Sequence, residues 1–139
     1  MVAQEDLKSL KKLPITSSII TLVMGIIIII MGVTAFAGFI YSEIMYVIVG
    51  LMLVIFSALT AVGVSRANTK VKAGEACITF GWWIFSAGVG GIIVYVAPFF
   101  SQGASTIGVV AAVASAISII FGLLIIIHAR TKLGVPLTV

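Results

Sequence analysis

Charge is what this sequence has least of. Only 9% of its 139 residues are charged, eight bases and four acids, where a soluble domain of this size carries about a quarter. So few charges cannot clothe a water-soluble globule, and most of the surface must face lipid. Cysteine occurs once, at Cys77; a single thiol permits no intrachain disulfide and no cysteine-based metal cluster, and Cys77 reads as a small residue near a helix start. Histidine also occurs once, at His128. Without a second histidine or a carboxylate inside an apolar segment, no nucleophile–base–acid set can be assembled. No glycine loop followed by lysine cradles a phosphate. The expectation is a chain that is not an enzyme and holds no metal or cofactor, His128 being a weak candidate for a cofactor contact.

Apolar residues make up 62% of the chain, with a mean hydropathy of +1.36. They gather into four runs, approximately 15–39, 44–64, 76–99 and 105–127, none with a charge in its interior. About 20 apolar residues span the hydrocarbon core as a helix, and in lipid the backbone must satisfy its own hydrogen bonds. Nothing alternates polar with apolar at period two, as a closed barrel would require. The expected fold is therefore all-α, an integral membrane four-helix bundle made of two hairpins (domain 15–129). A segment 1–14 precedes it and a tail 130–139 follows. In the lead, Leu7, Leu10 and Leu13 alternate with Lys8, Lys11 and Lys12, the pattern of a short helix in the headgroup region. Pro14 stands where a first helical turn tolerates it. Ala35-Phe36-Ala37 resembles a signal-peptidase site, but the apolar stretch before it exceeds the about 7–15 residues of a signal core and reads as a retained helix.

Every Lys and Arg lies in the lead, in 65–75 or near the C-terminus. The two intervening turns, 38–43 and 98–106, carry one acid and no base. The positive-inside bias then places both termini in the cytoplasm, in a cell membrane. Lys11, Lys12, Arg66, Lys70, Arg130 and Lys132 are expected to anchor that side against anionic lipid, with Trp82 and Trp83 at the same level. Phe36, Phe39, Tyr41, Tyr46, Tyr95, Phe99 and Phe100 gather towards the other. No basic face is interleaved with aromatics, which excludes nucleic acid as a partner.

Helices in lipid associate through small residues that let backbones approach. The fourth run has two such ridges, Gly108-Ala112-Ala116 and Ala114-Ser118-Gly122, with Ser115 between them. Gly88 and Gly91 thin the third run, and Gly25 and Gly32 interrupt the bulky isoleucines of the first. Gly25 and Gly32 are spaced as Gly81 and Gly88 are, and each half ends in a basic tail. If this marks an internal repeat, it is a parallel one.

An intramembrane ionisable group is the default sign of transport, and here none lies at mid-depth. Glu43 and Glu75 fall in the breaks and are expected to cap helices. In size and helix count the chain is similar to the small multidrug-resistance transporters. Their coupling carboxylate lies inside the first helix, and Ile19 to Gly32 has no acid. The Cys-Cys-Gly signature of tetraspanins is absent as well. The first expectation for function is a small accessory or structural subunit that packs against other membrane subunits or copies of itself. The alternative is an oligomeric channel or carrier lined by Ser57, Thr60, Ser86, Ser115 and Ser118. A third is a redox subunit with haem or quinone near His128.

Overall fold

The computed structural model describes residues 2–35, 41–97, 100 and 106–134. They form four helices and, among the described residues, no strand: α1 (Val2–Ala35), α2 (Tyr41–Arg66), α3 (Lys70–Val96) and α4 (Thr106–Thr131). Each contains a stretch long and apolar enough to cross a bilayer. The chain is an all-α, four-span membrane protein. Phe36, Phe39 and Phe99, the side chains of Tyr41 and Glu43, and the end of the tail fall outside the described residues.

Two boundaries differ from the pattern of hydropathy, for reasons local to the chain. The lead and the first apolar run are one helix of 34 residues with Pro14 inside it, about 51 Å long at 1.5 Å per residue. Pro14 is thus an interior residue, not the first turn of a new helix. α3 begins at Lys70, because the Thr69 side chain accepts a hydrogen bond from the Lys72 amide and so caps the helix. Hydropathy marks where a helix enters lipid; the cap marks where the helix starts. Glu75 accordingly lies exposed inside α3 and does not cap it.

Consecutive helices pack side by side, and α1 meets α4 to close a ring, with scant contact between α1 and α3. Within each hairpin the backbones come close at glycine. A Cβ on Gly25 would lie 2.9 Å from the Gly50 carbonyl oxygen, and one on Gly88 would lie 3.0 Å from that of Ser115. The space inside is filled by Ile28 and Leu53 from the first hairpin, and by Ile78, Ile84, Tyr95, Ile125 and Ile126 from the second. α4 buries Gly108, Ala111, Ser115, Ser118 and Gly122 in one stripe, and leaves Ala112 and Ala116 half-buried beside it. Gly32 and Gly91 are buried too.

Candidate functional site

The bundle buries seven Ser and Thr side chains among its described residues: Ser17, Ser18, Thr21, Ser57, Thr60, Ser115 and Ser118. Most spend their proton on their own helix, as hydroxyls in membrane helices do. Ser18 donates to the Ile15 carbonyl (2.8 Å), Thr60 to Phe56 (2.8 Å) and Ser118 to Ala114 (2.9 Å). Thr21 donates to the Ser18 carbonyl and lies 2.6 Å from the Ser57 hydroxyl. A hydroxyl has one proton, so Ser57 donates to Thr21 and ties α1 to α2. Ser115 and Tyr95 are different. Both are buried and neither hydroxyl has a partner among the described residues. They flank Gly91, and the Tyr95 ring meets that of Tyr46 edge-on at 4.3 Å. Of the serines and threonine expected to line a path, Ser86 is exposed, Ser57 sits in the α1–α2 seam and Ser115 in the α3–α4 seam. The fold does not bring that set together along one line.

The basic end is more elaborate. Proline has no amide hydrogen, so Pro14 leaves the carbonyl four residues before it, that of Leu10, without its helical donor. His128, in the last turn of α4, fills the gap: its Nε2 lies 2.7 Å from the Leu10 oxygen. A carbonyl only accepts, so Nε2 carries the proton and donates. The next residue reaches the other way. Lys11 Nζ donates to the carbonyls of Ala67 and, at 3.3 Å, Ser65, which are among the unsatisfied groups at the C-terminus of α2. Leu10 and Lys11 thereby clasp α4 and the α2–α3 turn to one stretch of α1. α4 ends beneath them with Lys132 and Leu133 both donating to the His128 carbonyl, and with Gly134 at φ 70°, the left-handed residue that commonly closes a helix.

Beside this clasp is a cavity of about 570 Å³, bounded by Leu7, Lys8, Lys11, Lys12, Ile15 and Thr16 of α1 and by Ser65, Ala67 and Asn68. A shallower groove of about 400 Å³ runs between α1 and α4, along Lys12, Leu13, Thr16, Ser17, Phe121 and Leu124. Of the expected anchors, Lys12, Arg66, Lys70, Arg130 and Lys132 are exposed at this end, while Lys11 is committed to α2. His128 offers no open Nε2 to a haem or quinone while it holds Leu10. Sequence reasoning missed the clasp. Pro14 alone signals a free carbonyl at Leu10, but the partner is a residue far along the chain. No three His, Cys, Asp or Glu side chains come together among the described residues as a metal site would need.

Trp82 and Trp83 follow Ala76, where the apolar run of α3 begins, by six and seven residues. They stand about 18–20 Å along the helix axis from Lys70, near the middle of α3, and are 38% and 50% exposed. Trp83 stacks on Phe56 (5.2 Å between ring centres) and Trp82 meets Phe85 edge-on at 5.8 Å. Thr79 and Ser86 are exposed on the same side, and a Cβ on Gly90 would touch nothing within 4 Å.

The fold and its basic end define a polytopic membrane protein. Compared with known proteins, the chain matches no family model, no curated protein and no solved structure.

Proposed function

We propose that this chain is a non-catalytic accessory or structural subunit of a larger membrane complex, presenting one face of α3 to a partner helix. The observation that carries the proposal is a contrast between the outward faces. α2 exposes Ile44, Ile48, Leu51, Ile55, Leu59 and Val62; α1 exposes residues such as Ile19, Ile26 and Ile30; α4 exposes Val109, Val113 and Ile120. All are bulky aliphatics, which lipid solvates as well as protein does. α3 exposes the aliphatics Val71 and Ile93 as well, but between them it sets Thr79, Trp82, Trp83 and Ser86, beside the open surface at Gly90. Ser86 lies midway between Ala76 and Val96, far from either headgroup layer. Small residues and hydroxyls at that depth favour helix association, by close approach and by hydrogen bonds with no competing water.

The basic end faces the cytoplasm in this proposal, as the positive-inside bias requires, so both termini are cytoplasmic. The channel and redox alternatives draw less support, since the buried hydroxyls are mostly bonded locally and His128 is bonded to Leu10. Photocrosslinking in the native membrane tests the proposal, with the crosslinker attached at Ser86→Cys or at Leu51→Cys. The position on α3 should yield adducts with protein and the position on α2 adducts with lipid only. Lipid adducts alone from both positions would overturn it.

A further inference from the structure

The cavity at the basic end has the shape and chemistry of a ligand site, and we infer that it holds the phosphate of an anionic phospholipid. Its walls join two kinds of surface. Lys8, Lys11 and Lys12 supply three positive charges, and among the described side chains no carboxylate lines either the cavity or the groove beside it. Leu7 and Ile15 supply apolar wall, and Asn68 and Thr16 bring an amide and a hydroxyl to the rim. Lys11 is engaged with the carbonyls of Ser65 and Ala67. It neutralises the negative end of α2, which would otherwise repel an anion. Lys8 and Lys12, one helical turn apart and both exposed, are left to meet the phosphate.

The neighbouring groove decides between a lipid and a free phosphate compound. Lys12 and Thr16 line both spaces, so they join where the outward side of α1 passes from one to the other. The groove continues along Leu13, Phe121 and Leu124 between α1 and α4, towards the apolar part of both helices. A headgroup in the cavity with an acyl chain in the groove satisfies both surfaces at once. A soluble phosphate would leave the groove unused. The level is also right, since these lysines stand at the start of the first apolar run, where headgroups lie, and basic pockets between helices there select anionic lipids.

The test is native mass spectrometry of the detergent-solubilised full chain, titrated with phosphatidylglycerol, phosphatidylcholine or inorganic phosphate. The wild type should bind phosphatidylglycerol about 25-fold more tightly than phosphatidylcholine, roughly fivefold from each of the two lysines. Lys8→Gln/Lys12→Gln should abolish that preference, while Lys8→Arg/Lys12→Arg keeps it and shows that the fold is intact. Arg130→Gln/Lys132→Gln removes the same charge from the same end and should leave the preference unchanged. Equal loss in both neutralised pairs would overturn the site, because general surface charge would then account for the binding. Competition by millimolar inorganic phosphate as strong as by the lipid would overturn the lipid as its occupant.

Discussion

The bond from His128 to Leu10 yields a prediction in which two distant residues must fail to act independently. His128→Ala removes the donor at 2.7 Å and strands a carbonyl that Pro14 has already deprived of its helical partner. An unsatisfied group of this kind costs about 1–3 kcal/mol, to which loss of the half-buried ring adds a packing term. Pro14→Ala restores an amide that can bond Leu10 within α1, at the expense of the buried pyrrolidine's contacts. Once that amide is present, His128 has a satisfied carbonyl opposite it and its removal costs only the packing term. The double-mutant cycle should therefore show a coupling of about 1 kcal/mol or more, with His128→Ala milder in the Pro14→Ala background. Reversible unfolding in mixed micelles, followed by circular dichroism, measures all four corners. Additivity within about 0.3–0.5 kcal/mol would refute the argument that His128 serves the carbonyl freed by proline.

The glycine seams give a paired prediction: Gly50→Ala should destabilise by about 1–3 kcal/mol through overpacking, since its methyl would lie 2.8 Å from the Gly25 carbonyl oxygen. Gly90→Ala, with nothing within 4 Å, should be neutral or slightly stabilising in the same unfolding assay. Ser57→Ala should cost about 0.6–1.7 kcal/mol, the range for hydrogen bonds between membrane helices. Tyr95→Phe, which removes a buried hydroxyl without a partner among the described residues, should be neutral or stabilising by about 1 kcal/mol. Cys77, fully buried, should resist a maleimide in mild detergent and react at once in denaturing detergent; equal rates would place it at the surface.

Much of the architecture is legible from the sequence because the bilayer restricts the choices. Four apolar runs in a chain with few charges can only be spanning helices, and the placement of Lys and Arg puts both ends together. Helix limits were less legible, since hydropathy does not see Thr69 capping α3 or α1 passing unbroken through Pro14. Gly25 and Gly88 could be read as packing residues from their type and spacing. Gly50 carries the same close approach but stands alone among larger residues, so no ridge announces it. At the basic end the lysines were visible as a basic cluster. That Lys11 would cap α2 while Lys8 and Lys12 border a cavity depends on how the α2–α3 turn folds back on α1, which no local pattern encodes. The two tryptophans sit near the middle of α3 because the Thr69 cap adds a polar stretch of helix before the apolar run that hydropathy marks.

The most direct test of the proposed role is native mass spectrometry on the chain released gently from its own membrane, beside a Ser86→Leu variant. The account predicts that the wild-type chain emerges bound to other protein chains and that Ser86→Leu, folded to the same helical content, emerges largely free of them. A wild-type chain that emerges as a bare monomer, indistinguishable from the variant, would contradict it.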